Sequence, residues 1–171
     1  MASFNVFANY GTYVKPYLIE WVKDENGAKI WENETIKWDV LDSKTNSKMI
    51  NALSHVVSRA RYLFAPDEPW LKTEAIGKTG STNLASTTWF VGSTPELTTC
   101  VYIGRDDNKP MGGAIFASST TFPIWLNFNR ELECKNKNFY LDPDLKEVAI
   151  DWVTGATTNQ LQSLRTVKIL E

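Results

Sequence analysis

Histidine and cysteine are scarce in this sequence. One His, His55, and two Cys, Cys100 and Cys134, occur in 171 residues. No Cys/His group has metal-ligand spacing, so no zinc site and no metal cofactor is expected. Two Cys do not make a disulfide framework. Cys100 lies in the run Thr98-Thr99-Cys100-Val101-Tyr102-Ile103, where a small buried hydrophobe is the expected role. Long apolar runs are missing too. None approaches the ~20 residues of a spanning helix. Met1 to Tyr10 holds no Lys or Arg, unlike a signal peptide. Nor is charge of one sign concentrated: 18 basic and 20 acidic residues leave a net charge of −2, with no block of five like charges. A nucleic-acid stripe or a basic membrane patch is therefore not expected.

What remains has an ordinary globular balance, with 43% apolar and 22% charged residues. The length suits one domain or a large part of one. Tyr13 to Val22 is extended in character, and Asn26-Gly27 separates it from Ala28 to Trp31, a hairpin signal. From Ser43 to Phe64, Met49, Ile50, Leu53, Val56, Val57, Ala60, Leu63 and Phe64 recur at spacings of three and four. That spacing predicts a helix with one apolar stripe, capped by Ser43 or Ser47 and ended before Pro66. His55 reads as an ordinary helical histidine, since no acid or nucleophile stands at helical spacing from it.

Three extended segments follow, Glu74 to Thr79, Thr87 to Gly92 and Thr98 to Gly104, rich in β-branched and aromatic residues. They predict an antiparallel meander. Phe122 to Glu133 reads as a helix with Pro123 in its first turn, and Val148 to Val153 as a further strand. Gln160 to Glu171 fits neither pattern. Helices combined with a meander predict an α+β arrangement.

The informative stretch is Gly77-Lys78-Thr79-Gly80-Ser81-Thr82-Asn83. A phosphate-binding loop requires a Gly five positions before the Gly-Lys-Thr, and Lys72 stands there instead. A second reading is an edge strand that docks a carboxylate. Lys78 supplies the cation, and the hydroxyls of Thr79 and Ser81 donate to the same anion. Gly80 leaves room for a close backbone approach, and the Ser81 amide points at a developing oxyanion. A peptide would add to such an edge through main-chain hydrogen bonds. Asp106 and Asp107, being adjacent, read as a solvated turn before Asn108 rather than an acid/base pair. Asp142 and Asp144, in Asp-Pro-Asp, read as turn chemistry. Of Trp89 and Phe90, Phe90 is expected in the core.

The order of motifs adds a resemblance. Lys78-Thr79-Gly80 leads to Trp89-Phe90-Val91-Gly92-Ser93-Thr94-Pro95, then to Val101-Tyr102-Ile103-Gly104-Arg105-Asp106-Asp107-Asn108 and Pro123-Ile124-Trp125. This series resembles the bifunctional class A penicillin-binding proteins, which read G-K-T-G-T-T-N, D-A-W-F-V-G-Y-T-P, V-W-V-G-x-D-D-N and A-P-I-W. Met1 to Gly11 resembles their L-A-x-A-Y-x-x-F-A-N-G-G, and Val14-Lys15-Pro16 the start of their hairpin. Thr88 departs from the family's D-A-W-F-V-G.

The resemblance covers residues 1 to 133. It implies the C-terminal part of a penicillin-binding-protein/serine β-lactamase-like fold, an antiparallel sheet packed by helices. It implies a division into 1–135, the C-terminal portion of a transpeptidase domain, and 136–171, an extension. It implies peptidoglycan cross-linking at the outer face of the cytoplasmic membrane, with D-Ala-D-Ala stem peptides and β-lactams as ligands and no cofactor. Lys78, Thr79, Gly80 and Ser81 would bind substrate, and the Ser81 amide would give half of the oxyanion hole. The family's nucleophile lies in a Ser-x-x-Lys box ahead of the segment matching Met1 to Gly11. No Ser here is followed three residues later by Lys. The Ser-x-Asn box is expected to be missing as well. The chain is thus expected to be a piece of a transpeptidase, inert alone, whose partner is the absent N-terminal part. Two alternatives stand beside it: a fragment of a carboxypeptidase or β-lactamase-type hydrolase, and a non-catalytic module that binds D-Ala-D-Ala peptide or cell wall.

Overall fold

A computed structural model describes residues 1–113, 115–159 and 166–171. Its first element is the short helix α1 (Ala2–Ala8). The chain then reverses through Tyr10 and Gly11, both at positive φ. A Cβ on Gly11 would collide with the Leu41 carbonyl, so glycine is required there.

A two-stranded arm follows. Strand β1 (Thr12–Val14) pairs with β4 (Lys37–Asp39), and β2 (Trp21–Lys23) with β3 (Lys29–Glu32), both antiparallel. The Asn26-Gly27 turn forms as expected. The Asp24 carboxylate accepts the N–H groups of Asn26 and Ala28 at 2.9 and 2.8 Å, and Gly27 takes φ +81°. Tyr13 and Val14 of β1 fall within the segment predicted as extended, but their partner β4 lies beyond the predicted hairpin.

Helix α2 (Ser43–Phe64) has the predicted span. Its cap differs. Asp42, not a serine, accepts from the Thr45 N–H at 2.9 Å and from the Thr45 hydroxyl at 2.6 Å. An ionised carboxylate is the stronger acceptor at the positive end of a helix. Ser47 is instead buried and donates to the Ser43 carbonyl.

The central sheet is antiparallel in the order β5 (Ile76–Ser81), β6 (Thr87–Ser93), β7 (Thr98–Gly104). The predicted meander is therefore present, its first strand displaced by two residues. Helix α3 (Thr121–Arg130) packs Phe122, Trp125 and Leu126 onto Phe90 of β6, and all four are fully buried. The Phe90 and Trp125 ring centroids are 5.1 Å apart. Val57 and Ala60 of α2 and Ala75 complete this core. A second cluster joins Ile50 and Leu53 of α2 to Ile76 and Phe139. Together these give the expected α+β layering. A last hairpin, β8 (Glu147–Asp151) and β9 (Thr166–Leu170), lies against α2, where His55 Nε2 donates to the Lys168 carbonyl at 2.8 Å. Of the unassigned tail, residues 160–165 lie outside the described residues.

Candidate functional site

The ladder register decides what β5 offers. The Thr82 N–H donates to the Thr87 carbonyl at 3.1 Å, which makes 82 and 87 a hydrogen-bonding pair. Such pairs alternate along antiparallel strands. With the register Gly80↔Trp89 and Lys78↔Val91, residues 78 and 80 bond to β6. Thr79 and Ser81 then direct their N–H and C=O groups away from β6. Among the described residues no strand pairs with that side of β5. The Lys78 side chain reports the same orientation, since its Nζ donates to the Thr79 carbonyl at 3.0 Å. The open edge thus presents two backbone donors, one being the Ser81 amide, with an ammonium beside them.

Side chains divide by parity. Gly77, Thr79 and Ser81 share the face of Phe90, Gly92 and α3. Lys78 and Gly80 share the other face with Val91 and Cys100, and with Trp89 and Tyr102. The cation and the two hydroxyls expected to meet one anion therefore start from opposite faces of the strand. The two sets approach one ligand only around the open edge. Ser81 carries a second tie: its hydroxyl accepts the Ala117 N–H at 3.1 Å. Accepting that bond leaves its own proton free to be donated.

The two glycines of the motif differ. A Cβ on Gly77 would lie 2.5 Å from the Phe90 ring and 3.0 Å from Val57, so the core requires glycine there. A Cβ on Gly80 would make only an ordinary contact, 3.5 Å from Trp89. The fold does not demand glycine at 80, and its bareness keeps the Lys78 face open.

Phe90 is fully buried, as expected, while Trp89 is 46% exposed and tilts over Tyr102 with centroids 4.6 Å apart. Cys100 shares this open face and is half-buried rather than a core residue; partial burial raises its thiol pKa. Sequence reasoning missed Tyr102, although strand parity could have placed it on the same face as Lys78, in the row of Gly80 and Trp89. It also missed a cavity of about 470 Å³ at the far end of β5, where Ser81 and Thr82 meet Leu84, Pro110 and Phe116. Lys78 does not line it. The short 3-10 turn beside it (Asn83–Ala85) holds Leu84 and Ala85 at positive φ, against a Thr82–Ser86–Thr87 hydroxyl network.

The acid pairs behave as turns. Arg105 clasps Asp107 through Nε–Oδ1 at 2.8 Å and Nη2–Oδ2 at 2.9 Å. That bidentate bond, with the Lys109 N–H, lowers the Asp107 pKa from 3.8 to about 2. The clasp is therefore intact above the ordinary carboxylate pKa and is lost as pH falls through about 2. A carboxyl NMR titration should place the Asp107 midpoint there, and Arg105→Gln should return it toward the usual range. Asp142 accepts the Asp144 N–H at 3.0 Å. Triplets of the form Ser-x-Asn do occur, at Ser3-Phe4-Asn5 and Ser81-Thr82-Asn83, which corrects the expectation that none is present. The first is tied into the fold: Asn5 Oδ1 accepts from the Thr98 hydroxyl at 2.7 Å.

The family model described as the penicillin binding protein transpeptidase domain matches residues 1–119. The chain belongs to that family. Penicillin-binding protein 1A of Aquifex aeolicus (strain VF5) is 32% identical over 145 residues, 84% of this chain and 20% of that protein. Penicillin-binding protein 1A of Rickettsia conorii is 27% identical over 178 residues, 91% of this chain and 22% of that one. The chain thus spans about a fifth of the length of these relatives. Among solved structures, penicillin-binding protein 1A from Haemophilus influenzae matches with a TM-score of 0.73 at 19% identity, over 99% of this chain and 31% of that one. The PonA1 protein from Mycobacterium tuberculosis, solved in complex with penicillin V, matches with a TM-score of 0.66 at 21% identity, over 82% of this chain and 39% of that one. These likenesses share the mixed helix and antiparallel-sheet fold of the transpeptidase family. Among the described residues no helix is long and apolar enough to cross a membrane.

Proposed function

We propose that this chain forms the carboxylate-docking side of a peptidoglycan D,D-transpeptidase site. Its acyl donor is a stem peptide ending in D-Ala-D-Ala, and β-lactams are its mimics. The terminal carboxylate docks on Lys78, with the Thr79 and Ser81 hydroxyls meeting it around the edge of β5. The substrate backbone lies along that edge as an added strand. The Ser81 amide donates to the oxygen that gains charge as the acyl group is attacked, and Gly80 leaves the approach open. The observation that carries this reading is the open edge itself, with Thr79 and Ser81 turned outward and a cation beside them.

The chemistry needs a serine activated by a neighbouring base. No Ser-x-x-Lys stands in these 171 residues. On this proposal the nucleophile, the base and the second half of the oxyanion hole come from another polypeptide segment. That segment covers the face bearing Lys78, Trp89 and Tyr102, and the assembled enzyme works outside the cytoplasmic membrane. Residues 1–135 then form the domain portion and 136–171 its extension. The chain alone is expected to take up no covalent label from a fluorescent penicillin. The test is a denaturing gel after incubation with the labelled drug. A fluorescent band on the 171-residue chain would overturn the missing-nucleophile reading.

A further inference from the structure

Among the described residues strand β5 pairs with β6 alone, and its other edge is positioned by what packs against its start. Beyond α3, residues 134–142 cross the start of β5 without regular secondary structure, yet their backbone is closely tied. Glu96, in the turn between β6 and β7, accepts the N–H groups of Lys135 and Asn136, both at 2.9 Å. Those bonds lower its pKa. Glu74, two residues ahead of β5, accepts the Phe139 N–H at 2.7 Å, and its own N–H donates to the Lys137 carbonyl at 2.7 Å. The Thr73 hydroxyl donates to the same carbonyl at 3.0 Å. Ser47 of α2 accepts the Asp142 N–H at 2.8 Å. Between these ties the Phe139 ring is buried against Ile76 of β5, with Ile50 and Leu53 of α2.

Three side chains from separate parts of the chain, Glu96, Glu74 and Ser47, therefore satisfy four backbone donors of one irregular segment, those of Lys135, Asn136, Phe139 and Asp142. Backbone donors near a core need partners. Here the partners are placed so that the segment is sewn to the root of β5. Glu74 pairs with it through both its main chain and its carboxylate, as a neighbouring strand would.

We infer that residues 134–142 are a strap that positions the docking edge of β5, with Glu74 as its positioning residue and Phe139 as its plug. This rests on the carboxylate-docking reading given above. The strap does not touch the ligand. It fixes where Lys78 and the outward amide of Ser81 stand, and it makes residues 136–142 a mechanical part of the domain that precedes them.

The test uses the whole 171-residue chain and two variants at an exposed position, Glu74→Ala and Glu74→Gln. Glutamine keeps a side-chain oxygen that can accept the Phe139 N–H. Amide hydrogen exchange followed by NMR should show the Lys78 and Gly80 amides exchanging roughly 10-fold faster in Glu74→Ala. The Phe90 and Gly92 amides, which face β7, should be unchanged, and Glu74→Gln should restore the wild-type pattern. Unaltered exchange in β5 would overturn the strap, and so would acceleration spread evenly over β5 and β6. A titration with a D-Ala-D-Ala peptide runs alongside. Weaker binding in Glu74→Ala, restored in Glu74→Gln, supports the positioning role, while equal binding in all three chains overturns it. Failure of the wild-type chain to bind the peptide counts against the docking reading alone, because the exchange comparison judges the strap without a ligand.

Discussion

Replacing Phe90 with Ala is expected to cost about 3–5 kcal/mol of folding stability, the usual range for emptying a buried aromatic site. Phe90 is fully buried and touches both layers of the fold. Its ring lies 5.1 Å from those of Phe122 and Trp125, centroid to centroid, and it sits directly under Gly77. It is also the cross-strand neighbour of Thr79. The void would therefore open beneath the strand that carries the docking edge. Urea denaturation followed by Trp fluorescence measures the loss. Phe90→Leu should recover a large part of it, since it refills much of the volume. A loss under about 1 kcal/mol for Phe90→Ala would mean that the two layers do not meet at this ring.

How much of this was legible in the sequence depends on the distance over which each feature is encoded. Helix α2 was readable to its ends because its stripe repeats every three or four residues and Pro66 closes it. Its cap was misplaced, to Ser43 or Ser47 instead of Asp42, since all three are capping types and only the backbone decides between them. The meander was readable because Thr, Val, Ile and aromatic residues crowd its strands. The start of β5 was set two residues early because nothing in the letters separates Glu74 and Ala75 from the strand, but Glu74 bonds to the strap and the ladder with β6 begins at Ile76. Nothing local announces the strap: Glu96 and its partners Lys135 and Asn136 are about 40 residues apart. The pairing of β1 with β4 was hidden for the same reason.

The motif at 78–81 is a different case. The letters offer a cation and two hydroxyls to one anion, and strand parity, visible in the same letters, separates them onto two faces. Parity assigns Lys78 to the open face with Trp89 and Tyr102, and Thr79 and Ser81 to the face of α3. What rescues a shared ligand is the edge, where both faces end and where outward backbone groups lie between them. The site is thus a property of strand order as much as of residue type. Had another strand covered β5, the same four residues would have had no free amide to offer.

Lys78→Ala is expected to weaken binding of a D-Ala-D-Ala peptide by roughly 10- to 100-fold, the loss of one charge-assisted contact worth about 1.5–3 kcal/mol. The ligand's charge tests the cause. With the peptide's C-terminus amidated, the wild-type chain should bind as weakly as Lys78→Ala binds the free acid, and the variant should hardly distinguish the two ligands. Added salt should narrow the wild-type preference, because Lys78 is exposed and screening acts on exposed charges. Calorimetric titration of the four combinations closes a double cycle whose coupling energy belongs to the ammonium–carboxylate pair. A coupling near zero, with the free acid and the amide bound alike by the wild-type chain, would remove Lys78 from the site. The open edge of β5 would then be left to bind peptides through its backbone alone.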